Sequence, residues 1–208
     1  MPQRLNNFLL LVLLLFLTAS TASGRSSRQD PALEGLELLR QSIAGMKDFS
    51  ADVIQEKTLS LMSDKIIGHG ILKFKKPGLL YMELYSPYAS RLLVKDGVLT
   101  YRQVNEGGEQ KNSLPPAENL NRWMQYFEKP AKSLPSGVIV TVDRVGKLWT
   151  LRIVPKKKVG MKEVTVVFLE RGALKALSLE ERNGDKTVVT FTEMQRNVGL
   201  KESEFTLE

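Results

Sequence analysis

The fold of this chain is decided by residues 66–104, which read IIGHGILKFKKPGLLYMELYSPYASRLLVKDGVLTYRQV. Apolar and polar residues alternate here in short runs, a pattern typical of strands that bury one face of a sheet. Turn-forming residues separate the runs at Lys76-Pro77-Gly78, Ser86-Pro87 and Asp96-Gly97. The stretch therefore predicts four consecutive antiparallel strands, at Ile66–Phe74, Leu79–Tyr85, Ser90–Val94 and Val98–Val104.

The residues before this stretch predict a helix and a first strand. Asp30 can cap a helix that begins at Pro31, and one face of that helix carries Leu36, Leu39, Ile43 and Met46. We expect this helix to span Asp30–Met46. A strand is predicted at Phe49–Glu56, where the period changes to two.

The residues after it predict a second group of strands. These are Gly137–Val142, Leu148–Val154, Lys162–Leu169, Ala173–Glu181 and Lys186–Met194, with a last short strand at Glu204–Leu207. Asn183-Gly184 is predicted to form a type I′ hairpin turn. Between the two groups, a short amphipathic helix over 118–127 is predicted from the spacing of Leu120, Trp123, Met124 and Phe127. So short a helix is unstable alone and must lie on an apolar surface.

A sheet of about eleven strands either closes or curls strongly. We therefore predict a mainly β fold, an incomplete antiparallel β-barrel of about eleven strands covered by short α-helices.

The N-terminal residues predict export. Arg4 precedes an apolar run from Phe8 to Leu17, and small residues follow to Gly24. This order is typical of a secretory signal peptide, with a short membrane anchor as the alternative. We expect a signal peptide at 1–23 and a single domain at 24–208, located in the periplasm. No cysteine is present, so neither disulfides nor a lipidated N-terminal cysteine is expected.

The residue types argue against catalysis. The chain has one histidine and no cysteine, whereas common zinc sites need three or four such ligands. It also has no nucleophile elbow, phosphate-binding loop or His-Glu-x-x-His motif. We expect no enzyme activity, no metal and no cofactor. His69 is expected to be structural or solvent-facing.

The charge pattern leaves two interpretations open. The formal net charge is +7, with lysine clusters at 73, 75 and 76 and at 156–158. Such clusters attract anionic lipid or an acidic partner, or they are simply solvated loops. Nucleic acid is not expected as a partner, because no aromatic residues are interleaved with the basic ones.

Large, flexible apolar residues are frequent on the predicted strand faces and on the second helix. Leu80, Met82 and Leu84 share one side of a strand, and Leu92, Trp123, Met124 and Phe127 lie elsewhere. Methionine adapts to ligands of irregular shape. On composition alone these residues favour an ordinary core, but a covered, curled sheet shifts the balance because it leaves room for a lipid tail.

Four groups of residues match, in order, the motifs of one known family. They are the run Phe49-Ser50-Ala51-Asp52-Val53-Ile54-Gln55; the run 70–77; Pro87 with Leu92-Leu93-Val94 and Asp96-Gly97; and 179–184 with Phe191, Asn197 and Phe205-Thr206. Together they resemble the LolA family of periplasmic outer-membrane lipoprotein carriers. The resemblance spans the chain from 49 to 206.

The resemblance implies a monomeric carrier that shields the acyl chains of a lipoprotein. Such a carrier takes its cargo from an inner-membrane ABC transporter complex and passes it to an outer-membrane acceptor. The ligand-binding residues expected here are Val53, Leu72, Phe74, Leu80, Met82, Leu84, Leu92, Trp123, Met124 and Phe127. The alternatives are a carrier of another lipid or glycolipid, and a periplasmic lipid-sensing or interaction module.

Two departures from the family pattern bear on mechanism. Lys76 stands where the family has an arginine that restrains the lid, and lysine lacks the planar fork of arginine. We expect a weaker lid clasp at Lys76, with a plain surface role as the alternative. The sequence ends at Glu208, where well-known carriers continue into a proline-containing tail, so the direction of transfer and the cargo stay open.

Overall fold

The computed structural model describes residues 30–62, 64–104, 108–114, 120, 124, 128–157, 160–170 and 172–207. Within these residues the chain forms the helix α1 (Pro31–Ala44) and eleven strands. The strands are β1 (Asp48–Thr58), β2 (Ile66–Lys75), β3 (Leu79–Leu84), β4 (Ser90–Lys95), β5 (Val98–Gln103), β6 (Glu109–Ser113), β7 (Val138–Val145), β8 (Leu148–Pro155), β9 (Met161–Leu169), β10 (Leu174–Glu181) and β11 (Lys186–Arg196). The predicted signal peptide, Trp123 and Phe127 lie outside the described residues.

The eleven strands form one antiparallel sheet in the order β6-β5-β4-β3-β2-β1-β11-β10-β9-β8-β7. Two meanders are thus joined where the first strand pairs with the last. β6 and β7 form the two edges, so the sheet is open. The prediction of a mainly β fold with an incomplete, unclosed antiparallel sheet is confirmed.

The sheet curls around one apolar core. A single cluster of buried side chains includes Val94 and Leu99 from the first meander and Leu151 and Phe168 from the second. Since these strands are far apart in the strand order, their common core requires a strongly curved sheet. A β-bulge in the central β1–β11 pair, with Glu193 at φ 48°, adds local bending there.

The helix α1 begins and packs as the sequence predicts. The carboxylate of Asp30 accepts a hydrogen bond from the backbone N–H of Ala32 at 2.9 Å. Leu36 and Leu39 are buried, and the helix lies against β7 and β8. Gly35 permits this close approach, because a Cβ there would lie 3.0 Å from Leu151 Cδ2 and 3.2 Å from Trp149.

Three local predictions are wrong. β6 was not predicted, since all five of its residues are exposed and carry no alternation. The last strand predicted at Glu204–Leu207 is a 3-10 turn at Glu202–Glu204 followed by residues outside any strand. Asn183-Gly184 is not a type I′ turn, which needs two positive φ values, because only Gly184 has one. The side chain of Asn183 instead accepts a hydrogen bond from the backbone N–H of Asp185.

The C-terminal residues cover the outer face of the sheet. Alternate residues of β3 point to this face, where Leu79 and Tyr81 pack with Leu200, Phe205 and Leu207 in a second apolar cluster. Arg102 donates a hydrogen bond to the carbonyl of Leu207 at 2.8 Å. Phe205 and Leu207 alternate with exposed residues because they pack against the outer face of the sheet, although their backbone is not part of a strand.

Candidate functional site

The apolar residues predicted to bind a ligand lie together on the inner face of the first meander. Val53, Leu72, Phe74, Met82, Leu84 and Leu92 are each at most 7% exposed, and Leu80 is half-buried against them. We call this surface the inner face. Met124 packs against the same cluster, and Leu120 belongs to it. The structure thus brings eight of the ten predicted residues together, and Trp123 and Phe127 lie outside the described residues.

The strand register arranges the inner face in rows. One row crosses β1 to β5 through Phe49, Phe74, Leu80, Val94 and Leu99, and the next through Ala51, Leu72, Met82, Leu92 and Tyr101. The ring centroids of Phe49 and Phe74 are 5.7 Å apart. These rows form a continuous apolar surface that is several strands wide.

A glycine lets two of these strands approach closely. A Cβ on Gly70 would lie 1.8 Å from the backbone oxygen of Glu83 on β3. Only glycine fits at that position, where the third row passes from Val53 through Gly70 to Leu84.

The core that the inner face lines is closed by α1, which lies against β7 and β8, and by a second piece of chain. Ala32 and Leu39 of α1 belong to the core cluster. Residues 120, 124 and 128–136 form the second piece, which we call the cover segment; its backbone is helical at Leu120, Met124 and Glu128, and Leu134 packs against the core. Both pieces lie outside the sheet, so they are separable from it without breaking strand pairing.

Side chains from the sheet hold the last turn of α1. The ammonium of Lys76 donates a hydrogen bond to the carbonyl of Ala44 at 2.9 Å, and the guanidinium of Arg196 donates one to the carbonyl of Ser42. The amide of Asn197 donates to the carbonyl of Gly45 at 3.4 Å. Cations and donors at a helix C-terminus satisfy its unpaired carbonyls and oppose its dipole. We call these three contacts the clasp.

Lys76 is partly desolvated in the clasp. Burial lowers its pKa, and the nearby carboxylate of Glu128 in the cover segment acts in the opposite direction. Lys76 therefore lies where β2, α1 and the cover segment meet.

A carboxylate ties α1 to the cover segment. Glu37 accepts hydrogen bonds from Arg40 Nε and Nη2, each at 2.7 Å, and from the backbone N–H of Ala131 at 3.0 Å. The Arg40 hydrogen bond is the largest cause of the lowered pKa of Glu37, which is about 2. The sequence analysis missed this contact. The spacing of Glu37, Arg40 and Gln41 was its only signal, and such spacing is common on exposed helices.

The described residues offer no assembled metal centre. Within them, no group of three or more His, Cys, Asp or Glu side chains is placed to hold a metal ion. His69 is exposed on β2. No helix in the described part of the chain is long and apolar enough to cross a membrane.

The described residues thus form an open, curled antiparallel sheet around an apolar core, with one helix held at its C-terminal end by the clasp. The family model described as "Outer membrane lipoprotein carrier protein LolA" matches residues 44–208. The chain therefore belongs to the LolA family, whose members are periplasmic.

Solved structures are similar to this chain at low sequence identity. A LolA superfamily protein from Nitrosomonas europaea is 10% identical, with a TM-score of 0.43, over 84% of this chain and 97% of that one. The lipoprotein LppX from Mycobacterium tuberculosis is 12% identical, with a TM-score of 0.46, over 83% and 99%. The MucA/MucB complex of Pseudomonas aeruginosa is 13% identical, with a TM-score of 0.48, over 86% of this chain and 62% of that one. Comparison with curated proteins finds no match.

Proposed function

We propose that this protein is a periplasmic carrier that shields the acyl chains of lipoproteins on its inner face. It takes its cargo from an inner-membrane ABC transporter complex and delivers it to an outer-membrane acceptor. Membership of the LolA family supports the class of cargo. Residues 1–23 are proposed to be a signal peptide removed on export, leaving 24–208 as one working domain.

The observation that carries this proposal is that the apolar core lined by the inner face is closed by pieces of chain that lie outside the sheet. Val53, Leu72 and Met82 are buried in the closed core. Acyl chains reach them only if α1 or the cover segment moves away. Such a movement breaks the clasp and the Glu37–Ala131 hydrogen bond. It also breaks the hydrogen bond that Ser42 Oγ donates to the carbonyl of Gly172.

The energetics favour exchange of cover for cargo. Burying one acyl CH2 gains about 0.8 kcal/mol, so a chain of about fifteen carbons gains about 12 kcal/mol. Uncovering the inner face costs the burial of a few helix side chains such as Leu36 and Leu39, at about 1.5–3 kcal/mol each. Cargo thus replaces the apolar contacts that α1 gives up, and the closing of α1 assists release.

Leu80 offers the sharpest test of the site. It lies on the inner face and is half-buried, so Leu80→Ser is tolerated by the fold better than a change at the fully buried Met82. We expect L80S to co-purify with several-fold less lipoprotein or lipid than the wild type, as measured by mass spectrometry of the periplasmic protein. Leu93→Ser is the matched control, because Leu93 is half-buried on the outer face of the adjacent strand.

The outcomes separate the possible functions. Diacylated or triacylated peptides bound to the wild type support the lipoprotein carrier, and a glycolipid or other lipid supports a carrier of different cargo. Cargo that is bound but never passed to outer-membrane vesicles indicates a sensing module. If the wild type carries and accepts no amphiphile, the carrier proposal fails.

A further inference from the structure

We infer that one end of the sheet is a docking surface for anionic bilayers. The strand register places five strand connections at this end, and their described residues are 59–62 with 64–65, 85–89, 104 with 108, 182–185, and 156–157 with 160. Backbone N–H groups of these connections donate hydrogen bonds to adjacent parts of the same end. Tyr85 donates to the carbonyl of His69 on β2, Val104 to that of Ala89, and Arg182 to that of Gly160. We call the described residues of this end the hairpin rim.

Exposed apolar side chains concentrate at the hairpin rim. Of the ten exposed large apolar residues in the described part of the chain, five lie there: Leu61 (83% exposed), Met62, Tyr85, Tyr88 and Val104. Leu61 and Met62 occupy the tip of the β1–β2 hairpin, where a folded domain ordinarily carries polar turn residues. Apolar side chains grouped in this way mark an interaction surface.

Basic side chains continue the hairpin rim on the side of the second meander. Lys156, Lys157, Arg182 and Lys186 are exposed there. Several nearby carboxylates are already engaged: Glu56 pairs with Lys65 at 3.2 Å, and Glu180 pairs with Lys162 at 2.5 Å. Asp185 is buried and accepts hydrogen bonds from Ser60. Asp64 remains as an exposed acidic group in the central hairpin.

This combination fits a bilayer interface in particular. Leucine and methionine at a protruding tip enter the acyl boundary, and tyrosines favour the headgroup level. Lysines that flank the tip pair with anionic headgroups, each contributing about 1 kcal/mol near such a surface. A protein groove would not require the basic flank, so the anionic bilayer is the occupant that the charges favour. The inference does not depend on which cargo the inner face takes.

Vesicle co-sedimentation tests the inference. With the full-length mature protein, we expect binding to vesicles of phosphatidylglycerol and phosphatidylethanolamine, weakened by salt, and little binding to phosphatidylcholine alone. The double variant L61S/M62S should bind the anionic vesicles about tenfold more weakly, and K156E/K157E should reduce binding further at low salt. Val145→Ser is the matched control, since Val145 is 78% exposed at the opposite end of the sheet.

Three results would overturn the inference: no preference for anionic vesicles, an equal loss in V145S, or a dimer in sedimentation velocity that L61S/M62S abolishes. Cargo is assayed separately with a detergent-solubilised lipoprotein. If L61S/M62S loses vesicle binding yet still takes up cargo, docking and carriage are distinct. If neither the wild type nor any variant takes up cargo while the wild type still binds vesicles, the proposed function fails and the docking surface is supported.

Discussion

Lys76 Nζ lies 2.9 Å from the carbonyl oxygen of Ala44, so the turn after β2 is hydrogen-bonded to the last turn of α1. A lysine here holds one carbonyl with one point charge. The helix end is shared with Arg196 and Asn197, which come from the end of β11. Residues at the ends of β2 and β11, which flank β1 on its two sides, therefore both hold the helix in place.

Removing the ammonium should loosen α1. We expect Lys76→Met to lower the free energy of unfolding by about 1–2 kcal/mol, because a charge-assisted hydrogen bond is lost. Amide hydrogen exchange should accelerate in 38–45 and stay unchanged in β8. Lys76→Arg should restore protection. Equal exchange rates in K76M and the wild type would show that the clasp does not depend on Lys76.

The two buried glycines of β2 should respond differently to alanine. A Cβ at Gly70 would lie 1.8 Å from a backbone oxygen, whereas one at Gly68 would lie 3.4 Å from the end of the Leu84 side chain. We expect G70A to destabilise the protein by at least about 3 kcal/mol and G68A by less than about 1 kcal/mol. Urea denaturation of both variants checks this, and similar midpoints would refute the close approach of β2 and β3.

Glu37 should make stability depend on pH in the acid range. Its pKa in the folded protein is about 2, below its ordinary value of 4.5. The unfolded chain binds this proton first, so the stability contributed by the carboxylate is full above pH 4.5 and is lost as the pH falls towards 2.

Glu37→Gln should therefore flatten the fall of unfolding free energy between pH 4.5 and 2, bringing the two curves together at the acid end. Urea titrations across that range measure the slopes. Glu34→Gln, at an exposed position in the first turn of the same helix, serves as the control. Parallel curves for E37Q and the wild type would contradict the lowered pKa.

The outer cluster should add measurably to stability. Phe205 is 2% exposed beneath the C-terminal residues, whereas its neighbour Thr206 is exposed. We expect Phe205→Ala to cost about 3 kcal/mol or more and Thr206→Ala less than about 0.5 kcal/mol. Thermal or urea unfolding distinguishes them, and a small effect of F205A would mean that the segment contributes little to the sheet.

Strands that alternate on one buried face were predictable from the sequence. β2, β3 and β4 lie within two residues of their predicted bounds because one side of each faces the core. β6 was missed since an exposed edge strand has no buried side to leave a pattern. The strand predicted at Glu204–Leu207 is wrong because Phe205 and Leu207 pack on the outer face of the sheet, and such packing gives the same alternation of buried and exposed residues as a strand does.

The residues of the inner face were predictable from the sequence. The hydrogen bonds that hold α1 and the cover segment in place were not. Leu80, Met82 and Leu84 follow from their spacing, confirmed by their common cluster. Glu37 and Ala131 are distant in sequence, as are Ser42 and Arg196, and their hydrogen bonds depend on how the two meanders join. The pairing of β1 with β11, which joins the meanders, depends on residues far apart in sequence, so the local alternation of apolar and polar residues does not predict it. The ligand-binding role of the inner face stays a prediction.

The pairing of β1 with β11 also governs when the molecule can fold. Asp52 and Thr192 are neighbours across this seam although 140 positions separate them. During synthesis, β1 therefore waits for almost the entire polypeptide before β11 can pair with it. Such non-local closure slows folding, and under the export proposed above it leaves the chain unfolded until its last strand has crossed the membrane.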